Sequence, residues 1–102
     1  MAVDEKQVMA TNAAAAGVYH VAASILTERG DEALVMTPVD FLLTKSIQAL
    51  PGRKIVNYEL RTCNETSKIV EFSINELEEL VTPRTKLLSI CNPHNPLGRA
   101  WR

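Results

Sequence analysis

The chain reads as a three-layer α/β fold: a parallel sheet of three strands, or four if Gln7-Val8-Met9-Ala10 adds one, with helices on both faces. Two short apolar runs, Ala33-Leu34-Val35-Met36-Thr37 and Thr85-Lys86-Leu87-Leu88-Ser89-Ile90-Cys91, have the pattern of strands covered on both sides. Segments with helical spacing and clear stops precede and separate the strands. Such alternation requires crossover connections, which give a parallel sheet. A length of 102 residues is enough for one domain, residues 1–102, with one modest core.

In chain order, Thr11 or Asn12 is positioned to cap a helix that runs to about Glu28 and stops at Gly30, a residue suited to a left-handed C′ position. Alanines 13–16 with Val18, Val21, Ala22, Ala23, Ile25 and Leu26 surround most of that helix with apolar side chains. A surface helix shows one apolar stripe, so this one expects protein on more than one side. After the first buried strand, Phe41 to Leu50 forms a helix ended by Pro51-Gly52, and Lys54 to Leu60 alternates as a strand nearer the sheet edge. Arg61 to Ser67 is a polar loop. Ser73 with Glu76 makes a capping box for a short amphipathic helix followed by Pro83, and the second buried strand ends at Cys91.

Eleven basic and twelve acidic residues, for a net charge of −1, give no footprint for nucleic acid or an anionic membrane. The longest apolar stretch, Ala13 to Leu26, falls short of the ~20 residues a membrane helix needs. An N-terminus with acids in place of a basic n-region points to a cytoplasmic chain. Cys63 in a polar connection and Cys91 at a strand end suggest two reduced thiols rather than a disulfide or a metal site. His94, in a loop, reads as solvated, and His20 as packing against the fold or a partner.

Ligands of open parallel sheets sit beyond the carboxyl ends of the strands, where strand order reverses. The loops after Thr37 and Cys91 leave such ends, and the second is rich in information: Asn92-Pro93-His94-Asn95-Pro96-Leu97-Gly98-Arg99-Ala100-Trp101. By itself, paired Asn-Pro is also strong turn chemistry. The stretch resembles the N-P-x-N-P-x-G-x-x-W segment of fold-type I pyridoxal-phosphate (PLP) enzymes. These are the class I/II aminotransferases, and the resemblance is greatest to the cystathionine β-lyase-like C–S lyase branch. A second segment, Gly30-Asp31-Glu32 through Pro38-Val39-Asp40-Phe41, resembles the family's G-D-E-x-x-x-x-x-P-x-Y, and the likeness runs from about Val8 to Trp101.

The resemblance implies the N-terminal part of an aminotransferase large domain, with PLP as cofactor and an amino acid as substrate in the intact enzyme. It assigns cofactor binding to Asn95, whose amide would donate to the ring oxygen, and to Ala14, Ala15 and Ala16 at the phosphate turn. Alanine keeps the N–H donors but supplies neither a glycine's freedom nor a hydroxyl, so a plain helix-packing role stays open at these three positions. It also assigns cofactor binding to Asp40, at the position of a ring-stacking aromatic, although an aspartate there suits a helix cap as well. None of Lys6, Lys45, Lys54, Lys68 or Lys86 matches the family's Schiff-base lysine, so no catalytic residue is assigned. The leading expectation is a fragment of a PLP-dependent aminotransferase or C–S lyase, inactive alone. The alternative is a non-catalytic α/β interaction module. In either case the apolar first helix predicts a homo-oligomer.

Overall fold

The structure is a computed structural model that describes residues 4–8, 10–63, 68–69 and 72–101. Its main sheet consists of β1 (Glu32–Thr37), β2 (Lys54–Glu59) and β5 (Thr85–Ser89), all parallel, in the order β2-β1-β5. Between them lie α2 (Phe41–Gln48) and α3 (Ile74–Glu79), and α1 (Ala14–Ile25) precedes them all. β1 is buried along Ala33–Met36, and its side chains alternate between two cores, as a pleated strand requires. Ala33 and Val35 pack with Ala22 of α1, with Leu26 at its C-cap, Ile47 of α2 and Leu50. Leu34 and Met36 pack with Tyr58 and with Leu77 of α3. Helices therefore cover both faces, which gives the expected three layers.

The expected boundaries shift for identifiable reasons. α1 starts later than Thr11 or Asn12 would have it: its N-cap is Ala13, with no side-chain cap, because the Thr11 hydroxyl donates to the Ala13 carbonyl at 2.9 Å. It also ends earlier, at Ile25, with Leu26 as its C-cap. Arg53 donates to the carbonyls of Leu26 and Thr27, each at 2.7 Å, and the Asp31 carboxylate takes the Glu28 N–H at 2.9 Å, turning the chain away. Gly30, at φ 87°, serves the turn into β1 and donates to Gly52 O at 2.7 Å; it is not a helix C′ residue. α2 likewise closes at Gln48, short of Leu50.

The capping box at α3 is opened by Tyr58. Ser73 Oγ accepts from Glu76 N at 3.4 Å, whereas Glu76 Oε2 accepts the Tyr58 hydroxyl at 2.9 Å, and that hydroxyl takes the Ser73 N–H at 3.0 Å. The phenol stands between the two halves of the motif and ties α3 to β2. Residues 7–10 contribute no fourth strand among the described residues. Glu5–Gln7 form a 3-10 turn closed by Val8 N to Glu5 O at 3.2 Å, and Met9 lies outside the description. The segment read as a loop after Arg61 holds β3 (Thr62–Cys63), paired antiparallel with β4 (Lys68–Ile69). Residues 64–67 lie outside the description, as do the side chains of Cys63 and Lys68.

The largest departure is β5. Its sequence predicts a strand covered on both faces, yet it stands at an edge of the sheet, with Leu88 47% and the following Ile90 49% exposed. α1 is similarly open on one side: Val21 and Ile25 are each 41% exposed. Both runs carry more apolar surface than the elements around them cover.

Candidate functional site

β1 has β2 on one side and β5 on the other. The chain reaches β2 through α2 on one face and β5 through α3 on the opposite face. Strand order thus reverses at β1, and the crevice beyond the carboxyl ends of β1 and β5 is where ligands of such sheets sit. Two loops meet there: Pro38–Asp40 after β1 and Ile90–Trp101 after β5.

The second loop is folded by its own side chains. Asn92 and Trp101 close its base, with Trp101 N donating to Asn92 Oδ1 at 3.0 Å and Asn92 Nδ2 to Trp101 O at 3.4 Å. The indole N–H donates to Cys91 O at 2.9 Å. Nearer the tip, His94 N donates to Arg99 O at 2.6 Å and Gly98 N to His94 O at 2.7 Å. Gly98 has φ 65°, a left-handed backbone that a side chain disfavours, although nothing lies within 4 Å of a Cβ placed there. The peptide bonds preceding Pro93 and Pro96, and that preceding Pro38 in the facing loop, are cis.

Asp40 and Asn95 are brought together across the crevice. Asp40 N donates to Asn95 O at 2.9 Å, and Asn95 Nδ2 donates to Asp40 Oδ2 at 2.9 Å. The other carboxylate oxygen, Oδ1, accepts from Leu42 N at 2.9 Å, so Asp40 is also the N-cap of α2. One side chain fixes both the start of a helix and the amide of the neighbouring loop.

Ala14, Ala15 and Ala16 form the first turn of α1. The Ala15 carbonyl accepts from the Ser46 hydroxyl of α2 at 3.0 Å, which docks this turn on the neighbouring helix. The intrahelical ladder begins with Gly17 N to Ala13 O at 3.1 Å, which leaves the N–H groups before it without helical acceptors. Thr11, Ala14 and Gly17 share a groove of about 400 Å³ with Leu87 to Ile90, so the turn lies at the carboxyl end of β5. Among the described residues no group of three His, Cys, Asp or Glu side chains could hold a metal ion. Cys91 is a free thiol.

His94 corrects the sequence reading. It is 1% exposed, not solvated, and Trp101 packs edge-on against its ring at 5.5 Å. Its Nε2 lies 2.6 Å from Pro38 O. A carbonyl only accepts, so this nitrogen carries the proton. The same Trp101 meets Phe72 edge-on at 5.4 Å, joining the loop to the α3 side of the core. The clue in the sequence was Trp101 itself: a large aromatic at the end of a turn-rich stretch needs a partner, and His94 is the ring within that stretch.

Solved structures share this fold. The chain superposes with a TM-score of 0.73 on cystalysin from Treponema denticola, a crystal structure containing a pyridoxal 5′-phosphate cofactor; identity is 31% over 90% of this chain and 22% of that one. A PLP-bound putative aminotransferase from Clostridium difficile 630 gives a TM-score of 0.72 at 22% identity, a likeness of fold. Among curated proteins, arginine–pyruvate transaminase of Pseudomonas aeruginosa is 31% identical over 95% of this chain and 23% of its own length. Aspartate aminotransferase of Sulfolobus acidocaldarius is 28% identical over 97% of this chain and 24% of its own. The chain therefore spans about a quarter of the length of these relatives. The family model for aminotransferase class I and II matches residues 1–102. This chain belongs to the class I and II aminotransferase family.

Proposed function

We propose that this chain forms the first part of a pyridoxal-phosphate site in an enzyme that acts on amino acids, either an aminotransferase or a C–S lyase. The observation that carries the reading is the Asp40–Asn95 pair at the point where strand order reverses, in a chain matched to the family along its whole length. The donor set fits the cofactor at two points. The first-turn N–H groups of Ala14, Ala15 and Ala16 suit a phosphate, because a helix N-terminus offers oriented donors and a favourable dipole. Asn95 has two amide hydrogens and commits one to Asp40, so the other is free to donate to a ring oxygen. When bound, the cofactor supplies the electron sink that stabilises a carbanion at the substrate.

In this proposal Asp40 acts on Asn95 instead of stacking on the ring, since a carboxylate has no ring face to stack and its two oxygens accept from Leu42 N and Asn95 Nδ2. The Gly98-Arg99-Ala100-Trp101 ending supports the C–S lyase branch within the family. No lysine here matches the one that carries the cofactor covalently, so the chain alone does not turn over substrate. We place it in the cytoplasm, which the free Cys91 thiol supports. Among the described residues no helix is long and apolar enough to cross a membrane.

The test is a PLP titration of the purified chain, followed by visible absorbance, with borohydride trapping and peptide mapping of any lysine adduct. Saturable binding with no single labelled lysine is the expected result. A unique, stoichiometric lysine adduct would refute the claim that the covalent lysine is missing. Failure of PLP to bind at millimolar concentration would refute the site.

The half-open α1 supports a second reading, a non-catalytic module that associates through that helix. Val21→Glu with Ile25→Glu is then expected to convert an oligomer to a monomer in sedimentation experiments. A wild-type chain that stays monomeric across a wide concentration range would count against this reading.

A further inference from the structure

We propose that His94 is the positioning residue of the site: its buried imidazole pins the loop after β5 to the loop after β1, and so holds Asn95 against Asp40. The inference rests on the cofactor reading above for its purpose, though not for its geometry. His94 immediately precedes Asn95, and the two residues reach across the same crevice. Nε2 donates to Pro38 O at 2.6 Å, while the Asn95 carbonyl and amide meet Asp40 two residues further along the facing loop, each at 2.9 Å. Three adjacent bonds thus form one clasp between the carboxyl ends of the two strands.

A residue kept only to fill space at this position would be apolar. His94 instead retains a second ring nitrogen, Nδ1, that is buried with no partner among the described residues, which is a cost to the fold. The ring is nevertheless held in place. Its backbone is bonded to Arg99 and Gly98, and the Trp101 indole packs edge-on against the ring, itself anchored to Cys91 O. A polar ring fixed this firmly, with one nitrogen aimed at a carbonyl of the opposing loop, sets a distance between two loops. That distance determines whether the Asn95 amide meets Asp40 and faces a ligand, or swings free on an exposed turn.

The experiment compares the wild-type chain, His94→Phe and His94→Gln by NMR and by PLP titration. Phenylalanine keeps the ring and loses the donor; glutamine places an amide N–H near the Nε2 position. Hydrogen exchange at the Asp40 amide, which donates to Asn95 O, reads the clasp without any ligand. In His94→Phe this exchange should accelerate about tenfold, the factor matching one hydrogen bond at the upper end of its usual net worth. PLP affinity should fall with it, and His94→Gln should restore both to within about threefold, a rescue that a space-filling role does not predict. Unchanged Asp40 exchange in a folded His94→Phe, or a His94→Gln as impaired as His94→Phe, would overturn the proposal. Should His94→Phe fail to fold, the wild-type protein still decides. The imidazole Nε2 proton and the Asp40 amide should be protected to the same degree, each relative to its own unprotected exchange rate, and a much less protected imidazole proton would separate His94 from the clasp. A wild-type chain that shows the clasp but binds no PLP overturns the cofactor reading and leaves the positioning role standing.

Discussion

Replacing Asp40 separates its structural work from any role beside a cofactor ring. Its Oδ1 caps α2 through Leu42 N at 2.9 Å, and its Oδ2 takes the Asn95 amide at 2.9 Å. Loss of an N-cap costs about 1 kcal/mol. The bond from Asn95 has a charged acceptor but lies at the surface, so it contributes about 1 kcal/mol, below the usual range for charged groups. Asp40→Ala should therefore destabilise the chain by about 2 kcal/mol, or roughly 8–16 °C in Tm for a chain of this size. The backbone bond from residue 40 N–H to Asn95 O survives in every variant. Asn caps about as well as Asp, and Asn95 can turn its amide over to offer its oxygen, so Asp40→Asn should lose only about 0.5 kcal/mol. Urea unfolding followed by far-UV circular dichroism measures both, with m expected to stay constant. An Asp40→Ala within about 0.5 kcal/mol of wild type would refute the reasoning, as would an Asp40→Asn equal to Asp40→Ala.

Arg53 closes the end of α1 and the turn after α2 with one guanidinium, donating to Leu26 O, Thr27 O and Pro51 O at 2.7, 2.7 and 2.6 Å. Arg53→Met should cost about 2–3 kcal/mol in thermal or urea unfolding, and Arg53→Lys should recover less than half, because a single ammonium does not reproduce the planar fork. Full stability in Arg53→Lys would count against this account. Tyr58→Phe should cost about 1.5–2 kcal/mol by removing the hydroxyl that links Glu76 Oε2 to Ser73 N. A double-mutant cycle with Glu76→Gln should return a coupling of about 1 kcal/mol, and strict additivity would show that the two side chains do not act together.

The parts of the fold that follow from local periodicity were legible in the sequence. β1 reads as buried because Ala33 to Met36 are uninterrupted apolar residues, and they are buried. Asp40 and Ser73 read as caps, and both accept a backbone N–H at the start of their helices. What the sequence did not reveal depends on residues distant in the chain. Nothing near Glu28 says that Arg53, far along the chain, will take the Leu26 and Thr27 carbonyls just past α1 and end the helix early. Nothing near Ser73 says that the Tyr58 hydroxyl will enter its capping box. His94 failed for the same reason, since burial of a loop histidine is decided by Pro38 and Trp101, which meet it only after folding. β5 differs: its composition asks for cover on both faces, and the surrounding elements supply only part of it.

In the proposed site, the alanine turn decides which part of a ligand this chain would hold. Ala14, Ala15 and Ala16 present backbone N–H groups without a hydroxyl, so attraction to a phosphate there comes from oriented donors and the helix dipole, about 1–2 kcal/mol for an anion at a well-placed N-terminus. Asn95, with one amide hydrogen committed to Asp40, would offer the other to a ring oxygen whether or not a phosphate is present. Pyridoxal phosphate should therefore bind about 5- to 30-fold more tightly than pyridoxal, and raising the ionic strength should erase much of that ratio as the exposed turn is screened. Asn95→Ala should weaken both ligands by the same factor and leave the ratio intact. Trp101 is the sole tryptophan and closes the loop that bears Asn95, so its fluorescence follows each titration. If pyridoxal matches its phosphate at low salt, the first turn of α1 takes no part in binding, and the three alanines are helix packing alone. If the ratio holds and Asn95→Ala narrows it, the amide and the turn are coupled, and Asn95 acts on the phosphate end as well as the ring.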